Sequence, residues 1–146
     1  MSKRSLSYYH SAPIQIRFND IDKLDHVTNS VYQQYFDLGR MAYFDNVLKE
    51  RMDWSKEGLV LVNITINFLS PIRMFDSIEV RTKVTKLGNK SLEMQQEIFN
   101  LTTEEVAASS SSVMVGFNGT TEEAIPVPAR WRERISSFEK DVLFEV

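Results

Sequence analysis

Apolar and polar positions follow two different periods along this chain, and the change of period marks its elements. Pro13 opens a short run with Ile14, Ile16 and Phe18 on one face and Gln15 and Arg17 on the other, which predicts a first strand. Residues 1–12 before it are polar and irregular, and are expected to be frayed. From Ser30 to Arg51 the spacing is helical. Val31, Tyr35, Leu38 and Ala42 form one stripe, and Tyr32, Phe36, Gly39, Tyr43 and Val47 form a second beside it. Ser30 followed by Gln33 matches a capping box and places the helix start there. Two adjacent apolar stripes predict a wide buried face, best covered by a sheet that curls around the helix. Gly39, costly in a helix interior, predicts close approach of another backbone.

From Gly58 the period falls to two. Val60, Val62, Ile64, Ile66 and Phe68 alternate with Leu61, Asn63, Thr65 and Asn67. Ile78, Val80, Thr82 and Val84 make the next apolar face, then Leu92, Met94, Gln96 and Ile98. A fourth run spans about 105–117, with Val113, Val115 and Phe117 as one face of its end. Ser70-Pro71, the segment 87–90 and Asn118-Gly119 mark the turns. Short connections argue an antiparallel meander, and the tail 129–146 can form a terminal helix. The predicted fold is α+β, one domain over 1–146, with an antiparallel sheet of five or more strands around one long helix. Ser109–Ser112 stand inside the last strand. Alternation sends two hydroxyls inward and two outward, and small side chains there leave room opposite.

Composition narrows the function. The 146 residues include no cysteine, which excludes disulfides, thiolate metal sites and cysteine nucleophiles. A net charge of −3 with no basic run argues against a nucleic-acid partner. No apolar stretch approaches the ~20 residues of a membrane span, so no membrane partner is expected. The opening MSKRSLSYYHSAP lacks the apolar core of a secretory signal, so the expected location is the cytoplasm.

The chemistry concentrates between the first strand and the helix. Asp20, Asp22, Asp25, His26 and Asn29 lie in one short connection. An ionised carboxylate can attack a carbonyl or activate water, and the unpaired N–H groups of a first helical turn can receive a developing oxyanion. A calcium-loop reading from Asp20 fails, because the fifth, sixth and twelfth positions are Leu24, Asp25 and Val31. No G-x-S-x-G elbow supports a serine hydrolase. Asp20 reads as a loop brace, Asp25 as a solvated residue or local cap, and His26 as a structural hydrogen bond slightly before a substrate contact. Tyr32, Tyr35 and Phe36 read first as core, and Asp37–Arg40 as a surface ion pair.

The stretch RFNDIDKLDHVTNSVYQQYFDLGR resembles the opening signature of the hotdog-fold acyl-CoA thioesterases, the 4-hydroxybenzoyl-CoA thioesterase group and its acyl-carrier-protein thioesterase relatives. Their pattern is roughly D-x-D-x-x-G-H-V-N-N-x-x-Y before a long helix. The stretch NFLSPIRMFDSIEVRTKVTKLGNKSLEMQQEI resembles a second block through Pro71, Asp76, Lys90 and Ser91, and the likeness covers about Pro13 to Pro128. Asp25 replaces the family's glycine and Thr28 its first asparagine; aspartate tolerates a positive φ better than most residues.

The resemblance implies a hotdog fold and hydrolysis of an acyl-CoA or acyl-carrier-protein thioester, with a place in fatty acid metabolism. It implies Asp22 as the catalytic carboxylate, with Asn29 and His26 beside it. Asn29, or its neighbours Thr28 and Ser30, would offer a backbone N–H to the thioester oxygen. Val27, Thr28, Ser30, Tyr32 and Lys90 would contact substrate. Asp37 is a minor rival to Asp22, since another branch of hotdog thioesterases uses a helix acid. Lys86, Lys90 and Arg73 would meet the nucleotide phosphates. No metal or cofactor is implied, coenzyme A being part of the substrate. The family forms homodimers and often homotetramers with the site between subunits. Two alternatives remain: a non-catalytic module that binds acyl-CoA or acyl carrier protein, and a hotdog hydroxyacyl dehydratase.

Overall fold

The computed structural model of the protein describes residues 7–144. Strand β1 (His10–Ile14) is followed by a 3-10 turn (Phe18–Asp20) and helix α1 (Asn29–Tyr43), which ends in a π turn (Phe44–Leu48). Then come β2 (Gly58–Phe68), β3 (Ile78–Leu87), β4 (Ser91–Asn100), β5 (Glu105–Asn118), the short β6 (Glu123–Ala124), α2 (Ala129–Glu139) and the short β7 (Leu143–Phe144). The main sheet runs β1-β3-β4-β5-β2, every neighbouring pair antiparallel; β6 adds to β5, and β7 lies parallel to β3. This is the hotdog arrangement, a curled sheet around one long helix.

The first strand is displaced from its expected place. It begins at His10 and ends at Ile14, so residues 10–12 are ordered partners of β3, while 1–6 lie outside the described residues. Its Pro13 is tolerated because, among the described residues, β1 pairs on one side only. Helix α1 starts at Asn29 rather than Ser30. Thr28 is the N-cap and makes no side-chain capping bond, so the expected capping box is absent. The helical run stops at Leu48 instead of Arg51, closed by Lys49 in the left-handed region at φ 59°.

The buried face of α1 carries Val31, Tyr32, Tyr35, Phe36, Gly39, Arg40 and Tyr43. Leu38 is 53% exposed, while Arg40 is 4% exposed, which reverses the expected places of these two residues. Arg40 does pair with Asp37, but from inside: its other nitrogen donates to Gln96 Oε1 at 2.9 Å. Gly39 is required by side chains rather than by a backbone. A methyl there would fall on Val80 Cγ1 and lie 3.0 Å from Gln96 Nε2.

One strand face differs from expectation, and another is as the alternation predicts. In β2, Val62 is an extra residue between two ladder registers. The bulge changes the phase, so Leu59 and Leu61 face inward before it and Ile66 after it. Val60 and Val62 therefore do not share the inner face with Ile66. In β5 the buried row is Ala108, Ser110, Ser112 and Met114, and Val113, Val115 and Phe117 lie on the opposite face. Two apolar clusters fill the interior. One gathers Tyr32, Phe36, Ile72, Val80 and Ile98 near the start of α1, the other Tyr43, Leu48, Leu59, Leu87 and Trp131 near its end. Between them sits a polar band, where Gln96 Nε2 donates to Phe36 O and Thr82 Oγ1, each at 3.0 Å.

Candidate active site

The loop before α1 is built by its own acids. Asp20 is 1% exposed and accepts from the Arg17 N–H at 2.9 Å, the Tyr35 hydroxyl at 2.7 Å and the Arg17 guanidinium at 3.1 Å. Burial alone would raise its carboxyl, but these three donors outweigh it and hold Asp20 below the usual carboxylate range. The same contact and burial push the Tyr35 phenol up. Asp20 is thus the brace expected of it.

Asp22 closes the next turn. Its Oδ1 accepts from the N–H groups of Leu24 at 2.9 Å and His26 at 3.2 Å, and its own N–H donates to His26 O at 2.9 Å. Oδ2 has no hydrogen-bond partner among the described residues. One oxygen therefore fixes the carboxylate while the other stays open. Asp25 occupies the left-handed region at φ 60°, the conformation glycine would favour there. Its Oδ1 lies 3.4 Å from the Met74 N–H, a long local cap.

The loop returns to the helix through two anchors. Val27 N donates to Ile72 O at 2.8 Å and Thr28 N to Asp20 O at 2.9 Å. Val31 N donates to Thr28 O at 2.9 Å. The N–H groups of Asn29 and Ser30 have no acceptor among the described residues, and the Thr28 hydroxyl does not supply one. The result is a helix terminus with two donors open beside a loop that presents a carboxylate.

Asp22, His26, Val27, Thr28, Asn29 and Tyr32 line one crevice of about 520 Å3 with Phe68, Leu69, Ser70 and Pro71. Tyr32 and Phe68 meet edge to face with ring centroids 5.0 Å apart. Burial raises the Tyr32 phenol, against a smaller opposing effect of the Ile72 backbone. Of the residues singled out from sequence, Ser30 and Lys90 are absent from this lining. Lys90 lies in the β3–β4 turn, about 30 Å along β3 from the Ile78 end where the loop is anchored. Lys86 shares Lys90's end and Arg73 the opposite one, so these three cations do not cluster within one chain. Asp37 is absent from the crevice lining and is bound to Arg40. The second wall, Phe68 to Pro71, was legible only as a strand end and a turn. Among the described residues, no three or more His, Cys, Asp or Glu side chains converge as metal ligands.

A helix wrapped by a sheet, with a carboxylate lining the same crevice as its first turn, defines a class, and comparison with known proteins names it. The model of the Thioesterase-like superfamily matches residues 16–135, and the chain belongs to that family. A thioesterase from Thermus thermophilus, solved with coenzyme A and Zn, superposes with a TM-score of 0.77 at 30% identity, covering 89% of this chain and 93% of that one. A chloroplastic acyl-acyl carrier protein thioesterase of Arabidopsis thaliana is 22% identical over 137 residues, 92% of this chain and 72% of the relative. A long-chain acyl-CoA thioesterase of Escherichia coli is 24% identical over 130 residues, 87% of this chain and 97% of the relative. Thioester hydrolysis is the activity this membership supports. No helix among the described residues is long and apolar enough to cross a membrane.

Proposed function

We propose that the protein hydrolyses an acyl-CoA or acyl-carrier-protein thioester in the Asp22 crevice. The observation that carries this reading is that Asp22, with one carboxylate oxygen open, and Asn29, with an open N–H, line one crevice, the second open N–H being that of the next residue, Ser30. The thioester carbonyl oxygen points at the N–H groups of Asn29 and Ser30, which receive negative charge as the carbon becomes tetrahedral. Asp22 Oδ2 takes a proton from water as the water oxygen bonds to that carbon, or itself bonds to it and forms an anhydride that water then opens. The C–S bond breaks and the sulfur leaves as a thiol. His26 stands at the crevice wall, where it can orient the water or touch the substrate. Val27, Thr28 and Tyr32 shape the space for the acyl group.

The working unit of this reading is a homodimer, or a tetramer made of such dimers. Among the described residues, strand β2 pairs only with β5, which leaves its other edge open over eleven residues. A second copy joined antiparallel at that edge would set its Gly58 end beside the Phe68 end of the first. Lys90 of the partner subunit, which follows the same end of the sheet, would then stand on the crevice side, suited to phosphate. Asp25 does not line the crevice.

Thiol release from short, long and aromatic acyl-CoAs and from acyl carrier protein tests the reading. Asp22→Asn keeps the acceptor for Leu24 and His26 but removes the base, and turnover is expected to fall by about 10²–10⁴-fold. Undiminished turnover in Asp22→Asn would move the chemistry to another group, such as Asp37. Single turnover in water labelled with heavy oxygen identifies direct attack when label appears in Asp22, which requires water to open the anhydride at the Asp22 carbon.

A further inference from the structure

A seam runs between α1 and the edge strand β2, with a hollow at each end. One hollow is the Asp22 crevice, bounded by Tyr32 and Phe68. The other, about 280 Å3, is lined by Arg40, Phe44, Trp54, Leu59, Leu61 and Met114 among others. Between them runs the inward row of β5, from Ala108, which pairs with Phe68 of the first hollow, to Met114, which lines the second. Helix α1 packs chiefly on β1, β3 and β4, and on β5 the inward side chains are small: Ala108, Ser110 and Ser112.

Two of these small residues are polar, and their polarity has no internal use. Ser110 is 1% and Ser112 3% exposed, and neither hydroxyl has a hydrogen-bond partner among the described residues. Their neighbours are committed or apolar. Ser110 stands between Ile66 and Gln96, whose amide is already shared with Phe36, Thr82 and Arg40. Ser112 stands between Ile64 and Met94. A row selected only for packing would carry alanine here, because a buried hydroxyl without a partner is destabilising.

We propose that this seam takes an acyl chain that carries an oxygen substituent, a hydroxyl or a ketone, partway along its length, and that Ser110 and Ser112 recognise it. The inference rests on the thioester-hydrolase reading of the Asp22 crevice. Ser110 lies about 7 Å and Ser112 about 14 Å along the strand from the level of Phe68, so the substituent is remote from the thioester carbon. The Tyr32–Phe68 ring pair stands between crevice and row and parts as the chain passes. A serine hydroxyl both donates and accepts, so either form of oxygen satisfies it.

Long-chain acyl-CoAs with one hydroxyl moved carbon by carbon, and the matching ketones, test this against the unsubstituted chain. The expected result is a peak in kcat/KM at one or two adjacent positions, about tenfold above the plain chain. The peak should vanish in Ser110→Ala with Ser112→Ala, which brings the substituted and plain chains to the same kcat/KM. A flat profile in the native protein, or a peak that survives both substitutions, overturns the proposal. The matching free acids give a second readout, because a bound ligand raises the unfolding temperature. A larger shift with the substituted acid but no thiol release from any substrate would uphold the seam and remove the hydrolase reading. Equal shifts with normal thiol release would do the reverse.

Discussion

At the C-terminal end of α1 the polar groups are closed by side chains and turns. Leu48 O accepts from Arg134 Nη1 at 2.5 Å, Lys49 N donates to Phe44 O at 3.0 Å, and Arg134 also reaches Glu50 at 2.7 Å. Beyond them Glu139, 0% exposed, accepts from the Tyr43 hydroxyl at 2.5 Å and the Val84 N–H at 2.9 Å, and so locks α2 to the sheet. At the N-terminal end, Asn29 and Ser30 keep two open N–H groups although a threonine sits where a cap should be. The same helix is thus finished for stability at one end and left unfinished at the other. An unpaired donor is a cost to folding and an asset to a reaction that develops negative charge.

The difference can be broken most sharply at position 29. Thr28 already has φ −65° and ψ 137°, which suits a residue before proline, and proline is well tolerated at the first helical position. Asn29→Pro should remove one donor and lower kcat by about 10²–10³-fold with an unfolding temperature little changed. Asn29→Ala keeps the N–H and should stay within a few fold of native, so equal losses in both would assign the effect to the side chain. At the other end, Glu139→Ala should cost about 3 kcal/mol in urea unfolding, because it strands two buried donors, while kcat per folded molecule is kept.

Glu139 also gives a pH signature. Burial, its largest influence, raises the carboxyl above the usual range, against its bonds to Tyr43 and Val84. Its contribution to stability is then fullest below the ordinary carboxylate pKa and falls as pH rises through the elevated value. Glu139→Gln should flatten that decline. Gly39→Ala, midway along the helix, should destabilise by about 2 kcal/mol through its clash with Val80. The smallest effect is expected from Thr28→Asp. A working cap there should stabilise by about 1 kcal/mol and at the same time lower kcat, the trade that separates the two helix ends. Higher stability with unchanged kcat would show that the open donors are idle.

The element order and the position of the loop were legible because both are written in local spacing. The carboxylate at 22 and the helix start at 29–30 needed only the strand-to-helix connection to be seen. The strand faces were less legible. A bulge at Val62 leaves no mark in a run where nearly every alternate residue is apolar. In β5 the inner row is Ala and Ser and the outer row Val and Phe, so hydrophobicity alone points to the wrong side. The room made for α1 decides the matter, and room is a tertiary quantity. Arg40 entered the core for a similar reason: Gln96, fifty-six residues away, is there to receive it. Lys90 shows the limit for the site, since its distance from Asp22 depends on which end of a strand each follows.

Val62 has one more implication. Val62 and Asn63 both face outward, so the inserted position is the one residue of β2 that the ladder to β5 does not count. Deleting it, with nothing else altered, would leave Leu59, Leu61, Ile64 and Ile66 in one regular inward alternation and the pairing with β5 unbroken. A one-residue shortening at Val62 should therefore be tolerated, whereas the same shortening at Thr65 would turn Ile64 or Ile66 towards water.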